Sequence, residues 1–145
     1  GKTIKVEDDF FGSMKYIRIR SKPEYSYFEC RRHFSPIDDI IEISVLSDIN
    51  KSFEKHKAFF KKIESNYSVI IDSLTPLIES EYQNWKENFT IVDFQKEFEA
   101  DYLTIPRGDA PDEKWEIAFY SIHDQHHTIT LTMENFKAID ILIDG

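Results

Sequence analysis

Hydrophobic and polar residues alternate in short runs near the start of the chain, which is typical of β-strands with one buried face. In residues 14–20, Ile17 and Ile19 share one face, and the neighbouring arginines share the other. An aromatic-rich run follows at residues 25–32, and a third run at 38–46 has isoleucine or valine at every second position from Ile41. The connections are short, which favours antiparallel neighbours. Residues 1–46 are therefore predicted to form strands.

The spacing between apolar residues then changes from two to three, four, seven and eight residues, which are the spacings of one helix face. The positions that follow it are Phe53, Phe60, Ile63, Tyr67, Ile70, Leu74, Leu77 and Trp85. Asp48 or Asn50 is a candidate N-cap, and Ser65 and Asn66 suggest a break. We predict a helical hairpin over residues 49–86, with helices at about 49–64 and 66–86 and a kink near Pro76.

Alternation returns in the last third of the chain, after a short helical turn at residues 92–97 that Asp93 can cap. Strands are predicted at residues 98–106, 114–123, 128–134 and 138–144. Residues 92–145 therefore form a short helix and strands, and the whole chain, 1–145, is expected to be a single domain. Blocks of strands and helices in this order predict the α+β class. We expect an antiparallel sheet of six or seven strands packed against the two-helix hairpin.

Composition limits where the protein works and what it contacts. The chain has 145 residues and one cysteine, Cys30, so it can form no intrachain disulfide. This favours a reducing compartment and predicts a cytoplasmic location. Its longest apolar clusters are much shorter than the roughly 20 residues that span a bilayer, so no membrane partner is expected.

Charge is unevenly distributed along the chain. The formal net charge is −9, with +3 on residues 1–35, −5 on 36–97 and −7 on 98–145. Negative potential repels phosphate backbones, so we expect no nucleic-acid partner, and it favours a basic protein. The alternative is that the charge serves only solubility. The candidate partner-binding residues are four acids around one tryptophan: Asp109, Asp112, Glu113, Trp115 and Glu116.

The densest cluster of potential metal ligands lies between two predicted strands. It consists of His123, Asp124, His126 and His127. Imidazole and carboxylate are ligands of Zn²⁺ and similar transition metals. Adjacent side chains of an extended chain point to opposite faces, however, so a shared ion would require a tight turn. A hairpin loop in which one histidine binds the backbone is the alternative.

No coherent catalytic set is evident in the sequence. Cys30 lies between Glu29 and Arg31 in a predicted strand, where a small buried residue is the simpler interpretation. The chain has no GxSxG motif, and its four glycines form no phosphate-binding loop. These observations favour a protein that is not an enzyme.

Three stretches resemble a loose group of small uncharacterised bacterial domains, some of them associated with polymorphic-toxin immunity loci. The stretches are residues 82–85, residues 93–98 with the strand at 102–105, and residues 127–131 with the terminal strand that ends at Asp144 and Gly145. The resemblance covers mainly residues 82–145. The group often has glycine just before the histidine of the third stretch, where this chain has His126. The resemblance implies an immunity-type protein and no established activity.

Three functional hypotheses follow. The first is a non-enzymatic interaction module of the immunity type that binds a basic partner. The alternative is a metal-binding protein or metal-dependent hydrolase that uses the cluster at residues 123–127. A purely structural accessory domain is the third.

Overall fold

The computed structural model describes residues 3–144 and has an α+β fold. Its strands are β1 (Lys5–Asp8), β2 (Gly12–Ile17), β3 (Tyr27–Phe34), β4 (Asp39–Leu46), β5 (Phe98–Ile105), β6 (Lys114–Ser121), β7 (Asp124–Glu134) and β8 (Lys137–Asp144). Its helices are α1 (Glu54–Ser65), α2 (Tyr67–Tyr82) and the short α3 (Phe94–Glu97), and a 3-10 turn covers Pro23–Tyr25.

The eight strands lie in one sheet in the order in which they occur along the chain. Two antiparallel meanders, β1–β4 and β5–β8, meet where β4 runs parallel to β5. Parallel neighbours need a long crossover, and the segment that contains α1, α2 and α3 supplies it. The α+β class and the helix-on-sheet arrangement were predicted, whereas the parallel junction was not.

The additional strand is β1, which pairs with β2 from Lys5 opposite Lys15 to Asp8 opposite Gly12. The carboxylate of Asp8 accepts the backbone N–H groups of Phe10 and Phe11, both at 2.9 Å, and so closes the turn between the strands. Gly12 has φ of 75°, a conformation that favours glycine. A four-residue strand is too short for its alternation to be distinguished from chance, so the predicted count of six or seven strands was slightly too low.

The first helix begins five residues later than predicted. Asn50 adopts a left-handed conformation with φ of 66°, which a helix cannot include. The carboxylate of Asp48 binds Arg107 Nη1 at 2.6 Å, so neither predicted cap acts on α1. Ser52 Oγ accepts the N–H of Glu54 instead. The two helices are separated by one residue, Asn66, close to the predicted break.

The second helix passes through Pro76 and ends at Tyr82, before the predicted residue 86. Proline lacks an N–H and disfavours a helix interior. The side chains of Ile70, Leu74 and Ile78 are fully buried on the same helix, and this burial offsets the lost hydrogen bond. Trp85 lies beyond the end of the helix and is 53% exposed.

The core fills the space between one face of the sheet and the helices. Its largest fully buried side chains include Phe11, Phe28, Phe34, Phe60, Tyr82, Trp115 and Phe119. Several of these rings meet edge to face, as Phe34 and Phe60 do at a centroid distance of 5.8 Å. Such geometry suits the aromatic quadrupole. The helices therefore cover one face of the sheet and leave the other in contact with solvent.

Within residues 3–144, each helix is too short or too polar to cross a membrane.

Candidate protein interface

The sheet surface that faces away from α1 and α2, here called the open face, is acidic across β4–β8. Alternation along each strand places one set of side chains in the core and the other on this face. The acidic residues of the second set are Glu42, Glu99, Asp101, Glu116, Glu134, Asp140 and Asp144. Lys114 and Lys137 are the lysines on the same strands. The sheet thus places the carboxylates of the acidic C-terminal third on one surface, beside Glu42 of the distant strand β4.

Exposed apolar side chains lie among these carboxylates. Ile40, Tyr120 and Leu142 are 54%, 47% and 60% exposed, and they belong to β4, β6 and β8. Large apolar groups within a polar surround are characteristic of protein interfaces. The open face therefore carries the exposed aromatic and aliphatic side chains that the sequence had assigned to Trp115.

Asp101 occupies an irregular position in this surface. The register between β5 and β6 shifts between Ala100 and Tyr102, so Asp101 is the extra residue of a bulge. Burial raises the pKa of its carboxyl group, and the nearby charge of Glu42 raises it further. The charge of Asp101 in turn raises the pKa of Tyr120. The carboxylates of Asp101 and Glu42 thus repel each other, Arg31 offsets part of this repulsion, and a further cation bound there would offset more of it.

Hydrogen bonds across strands hold the centre of the open face in place. Tyr102 Oη lies 2.8 Å from Ser44 Oγ, across the parallel junction of β4 and β5. Thr104 Oγ1 accepts the backbone N–H of Glu116 at 2.8 Å. Arg31 Nη1 binds Glu42 Oε1 at 3.1 Å on the surface. A shallow cavity of about 650 Å³ next to this network is lined by Tyr27, Arg31 and Tyr102, among others.

Trp115 cannot be part of a partner-binding surface because only 1% of it is exposed. Its indole Nε1 donates to Asn135 O at 2.6 Å, and its ring lies 5.8 Å from that of Phe59 in α1. Alternation along β6 explains the error: Trp115 points into the core, and its neighbour Glu116 points to the open face.

The other acidic residues of the predicted patch lie in the loop before β6. Glu113 Oε1 accepts the N–H groups of Asp109 and Ala110, so this carboxylate organises the loop itself. Asp112 is exposed. Asp109 lines a cavity together with Lys55 of α1, on the helix side of the sheet. The structure therefore separates the predicted patch into a loop, a core residue and Glu116.

The same cavity, of about 350 Å³, is lined by His56 and by charged side chains of both signs. His56 is 4% exposed, and its Nε2 donates to Leu46 O at 2.7 Å, which ties α1 to the end of β4. Burial lowers the pKa of His56, so its neutral form is favoured. Lys51, Lys55 and Arg107 are offset by Asp48, Glu54 and Asp109 around the cavity, so no single sign of charge dominates it.

The predicted histidine cluster is divided between a turn and a strand. Residues 122 and 123 form the turn between β6 and β7, and Asp124 already belongs to β7. The register jumps from Tyr120 opposite Thr128 to Ser121 opposite Asp124, which leaves residues 125–127 as a bulge. His127 Nδ1 lies 2.5 Å from Asp124 Oδ2, and this contact lowers the pKa of Asp124. His126 is exposed.

His123 contacts Glu97 rather than the other members of the cluster. Its Nε2 lies 2.7 Å from Glu97 Oε1, and its ring is 5.0 Å from that of Phe89. In the part of the chain that the structure describes, no three His, Cys, Asp or Glu side chains are placed to share a metal ion. The arrangement is two separate acid–histidine pairs.

Glu97 joins the turn at His123 to the segment that precedes α3. It is 9% exposed, and its Oε2 accepts the N–H groups of Val92 at 2.8 Å and Asp93 at 2.6 Å. Burial by itself would raise the pKa of Glu97, but hydrogen bonds from Asp93, His123 and Val92 lower it below its ordinary value of 4.5. Sequence reasoning missed this pair because the partners are 26 residues apart and no local pattern relates them.

Cys30 is a core residue of β3 and is 6% exposed. Burial raises the pKa of its thiol to about 12. The nucleophilic form of cysteine is the thiolate, so this side chain is unreactive at neutral pH.

Comparison with models of known families, with curated proteins and with solved structures finds no match for this chain.

Proposed function

We propose that the protein is a non-enzymatic interaction module that binds a basic protein through its open face. The observation that carries this proposal is the combination, on one sheet surface, of crowded carboxylates with the exposed side chains of Ile40 and Tyr120. Opposite charge steers a partner towards the surface, and a desolvated apolar centre supplies most of the binding free energy.

An immunity-type role is the specific form of this proposal. In that role the partner is a toxin whose activity is blocked when the complex forms. The resemblance over residues 82–145 and the acidic charge of the chain support it. A cytoplasmic location is part of the same proposal, because a lone thiol suits a reducing compartment.

The test uses three forms of the protein as bait in cell extract from the source organism. One is the wild type, one carries Glu99→Lys and Glu116→Lys on the open face, and one carries Asp72→Lys and Glu87→Lys on the crossover segment. All four side chains are exposed, and the two variants have the same net charge. We expect the wild type and the crossover variant to capture the same basic protein and the open-face variant to lose it.

Binding kinetics of the captured protein then test the role of charge. Between 0.05 and 0.5 M salt the association rate should fall at least tenfold, with a much smaller change in dissociation rate. A further variant, Asp112→Lys, separates the open face from the loop that the sequence had indicated. Equal capture by all baits, or an association rate that is independent of salt, would remove the electrostatic basis of the proposal.

A further inference from the structure

The strand β8 forms one edge of the sheet, and the orientation of its backbone leaves hydrogen-bonding groups on the outer side. In antiparallel pairs, alternate residues direct their N–H and C=O groups away from the partner strand. The N–H of Ala138 binds Ser73 Oγ of α2 at 2.8 Å, so the helix covers the edge at this residue. Further along β8, the N–H of Ile141 binds the carboxylate of Asp140 at 2.9 Å. The partners of Ala138 and Ile141 in β7 are Met133 and Leu131, two residues apart, so both N–H groups point outwards.

Asp140 therefore occupies a backbone donor that an added strand would use. Unpaired edges attract other strands, and charged side chains are one way to protect them. The protection by Asp140 is reversible, because its side chain is exposed and can rotate away. A cationic side chain on an incoming strand would attract the carboxylate and free the Ile141 N–H for a carbonyl of that strand.

A groove beside this edge has room for side chains of an added strand. Its volume is about 560 Å³, and Trp85, Ile141 and Ile143 contribute apolar side chains to its lining. Trp85 is 53% exposed, although it lies next to the ring of Tyr82 at a centroid distance of 5.1 Å. An added strand would direct alternate side chains towards this groove and the others towards the open face.

Charge at the edge determines which strand fits. Asp140 and Asp144 lie on β8, and Glu81 and Asp124 line the groove. A second copy of the chain, paired β8 to β8, would bring these carboxylates together with their equivalents. Like charges opposite one another destabilise strand pairs, whereas opposite charges stabilise them. A basic segment is the complementary occupant.

We propose that β8 binds an extended segment of the basic partner as a ninth strand, with basic residues facing Asp140 and Asp144 and apolar residues in the Trp85 groove. Strand addition of this kind takes affinity from main-chain hydrogen bonds and specificity from alternate side chains. The inference rests on the proposed function for the class of partner, and it adds the mode of contact.

The probe is a capped eight-residue peptide of alternating lysine and valine, compared with one of alternating glutamate and valine. We expect the basic peptide to bind at least tenfold more tightly and to slow amide exchange at Ile141. Methylation of the peptide backbone nitrogens that face β8 should abolish binding, whereas methylation of the alternate nitrogens should leave it within twofold. Asp140→Asn keeps the acceptor for Ile141 but removes the charge, and should weaken binding at least threefold.

The outcomes separate the two proposals. If the basic peptide binds without protecting Ile141 and the variant with Glu99→Lys and Glu116→Lys abolishes binding, the open face is retained and strand addition is wrong. Equal binding of both peptides overturns the basic class of partner and therefore both proposals. Protection of Ile141 without peptide, together with a dimer in sedimentation, shows that a second copy occupies the edge and overturns this inference. Failure of the basic peptide to bind at millimolar concentration also overturns it.

Discussion

The pair formed by Glu97 and His123 should make a large contribution to stability, and Glu97→Gln tests it. The carboxylate accepts three hydrogen bonds at 2.6–2.8 Å while it is 9% exposed. Hydrogen bonds to charged groups contribute about 1.5–3 kcal/mol each, and an unpaired buried group costs a similar amount. Glutamine replaces one acceptor oxygen by an NH₂ donor, which must face either two N–H groups or His123. We expect the free energy of unfolding to fall by about 2–4 kcal/mol.

Urea denaturation of a double-mutant cycle measures the pairwise part. Glu97→Gln, His123→Asn and the double variant should give a coupling of about 0.5–3 kcal/mol, the range for residues in one network. Glu99→Gln is the matched control, since Glu99 is exposed on β5, the strand that follows α3. Its effect on the free energy of unfolding should stay within about 0.5 kcal/mol. Amide exchange at Val92 and Asp93 should become faster in Glu97→Gln but not in the control Glu99→Gln.

The pH dependence of the same variant has a definite sign. The pKa of Glu97 is lower in the folded state than its ordinary value of 4.5, so its stabilisation is present above that pH. It is lost as the pH falls through the folded-state pKa. Wild-type protein should therefore lose more stability than Glu97→Gln on acidification below about pH 4.5. A coupling below about 0.3 kcal/mol, or parallel acid curves, would refute the reasoning.

Two further predictions concern the helices. Ile70→Ala should lower the free energy of unfolding by about 2–5 kcal/mol because Ile70 is fully buried. Val69→Ala is the control, at a 53% exposed position of the same helix, and should lower it by less than about 0.5 kcal/mol. Similar urea midpoints for the two variants would contradict the core assignment. The pKa of His56 is lower in the folded state than its ordinary value of 6.5, so the unfolded state takes up the proton first as the pH falls. The free energy of unfolding should therefore be constant with respect to this residue above pH 6.5 and decline below it. His56→Gln should flatten thermal stability between about pH 7 and 5, and an unchanged slope would exclude His56 as the cause.

Periodicity along the chain was a reliable guide to which side chains are buried. The spacing of Phe60, Ile63, Ile70 and Leu74 identified the helix face that packs on the sheet, and all four are fully buried. The same reasoning failed for Trp85, because the helix ends before it, and for the start of α1, because the backbone of Asn50 is left-handed. Element ends depend on a few dihedral angles and hydrogen bonds that local composition does not determine.

The candidate interface shows a similar division. Alternation in residues 114–120 already separates Trp115 from Glu116, and applying it there would have excluded the tryptophan from a surface. Asp101 could not be identified in this way, because its position results from a bulge against β6. Asp140 lies in a strand that was predicted, but its bond to the outward N–H of Ile141 depends on β8 being the edge of the sheet.

The sequence by itself determined the α+β class, the helical hairpin, most of the strands and the acidic balance of the last third, because each depends on residue types within a short window. Tertiary structure alone decided that β4 and β5 are parallel, that Glu97 meets His123, and that carboxylates from five strands share one face. These features join residues that are tens of positions apart. Their free energies come from burial and from hydrogen bonds between segments, which no local pattern records.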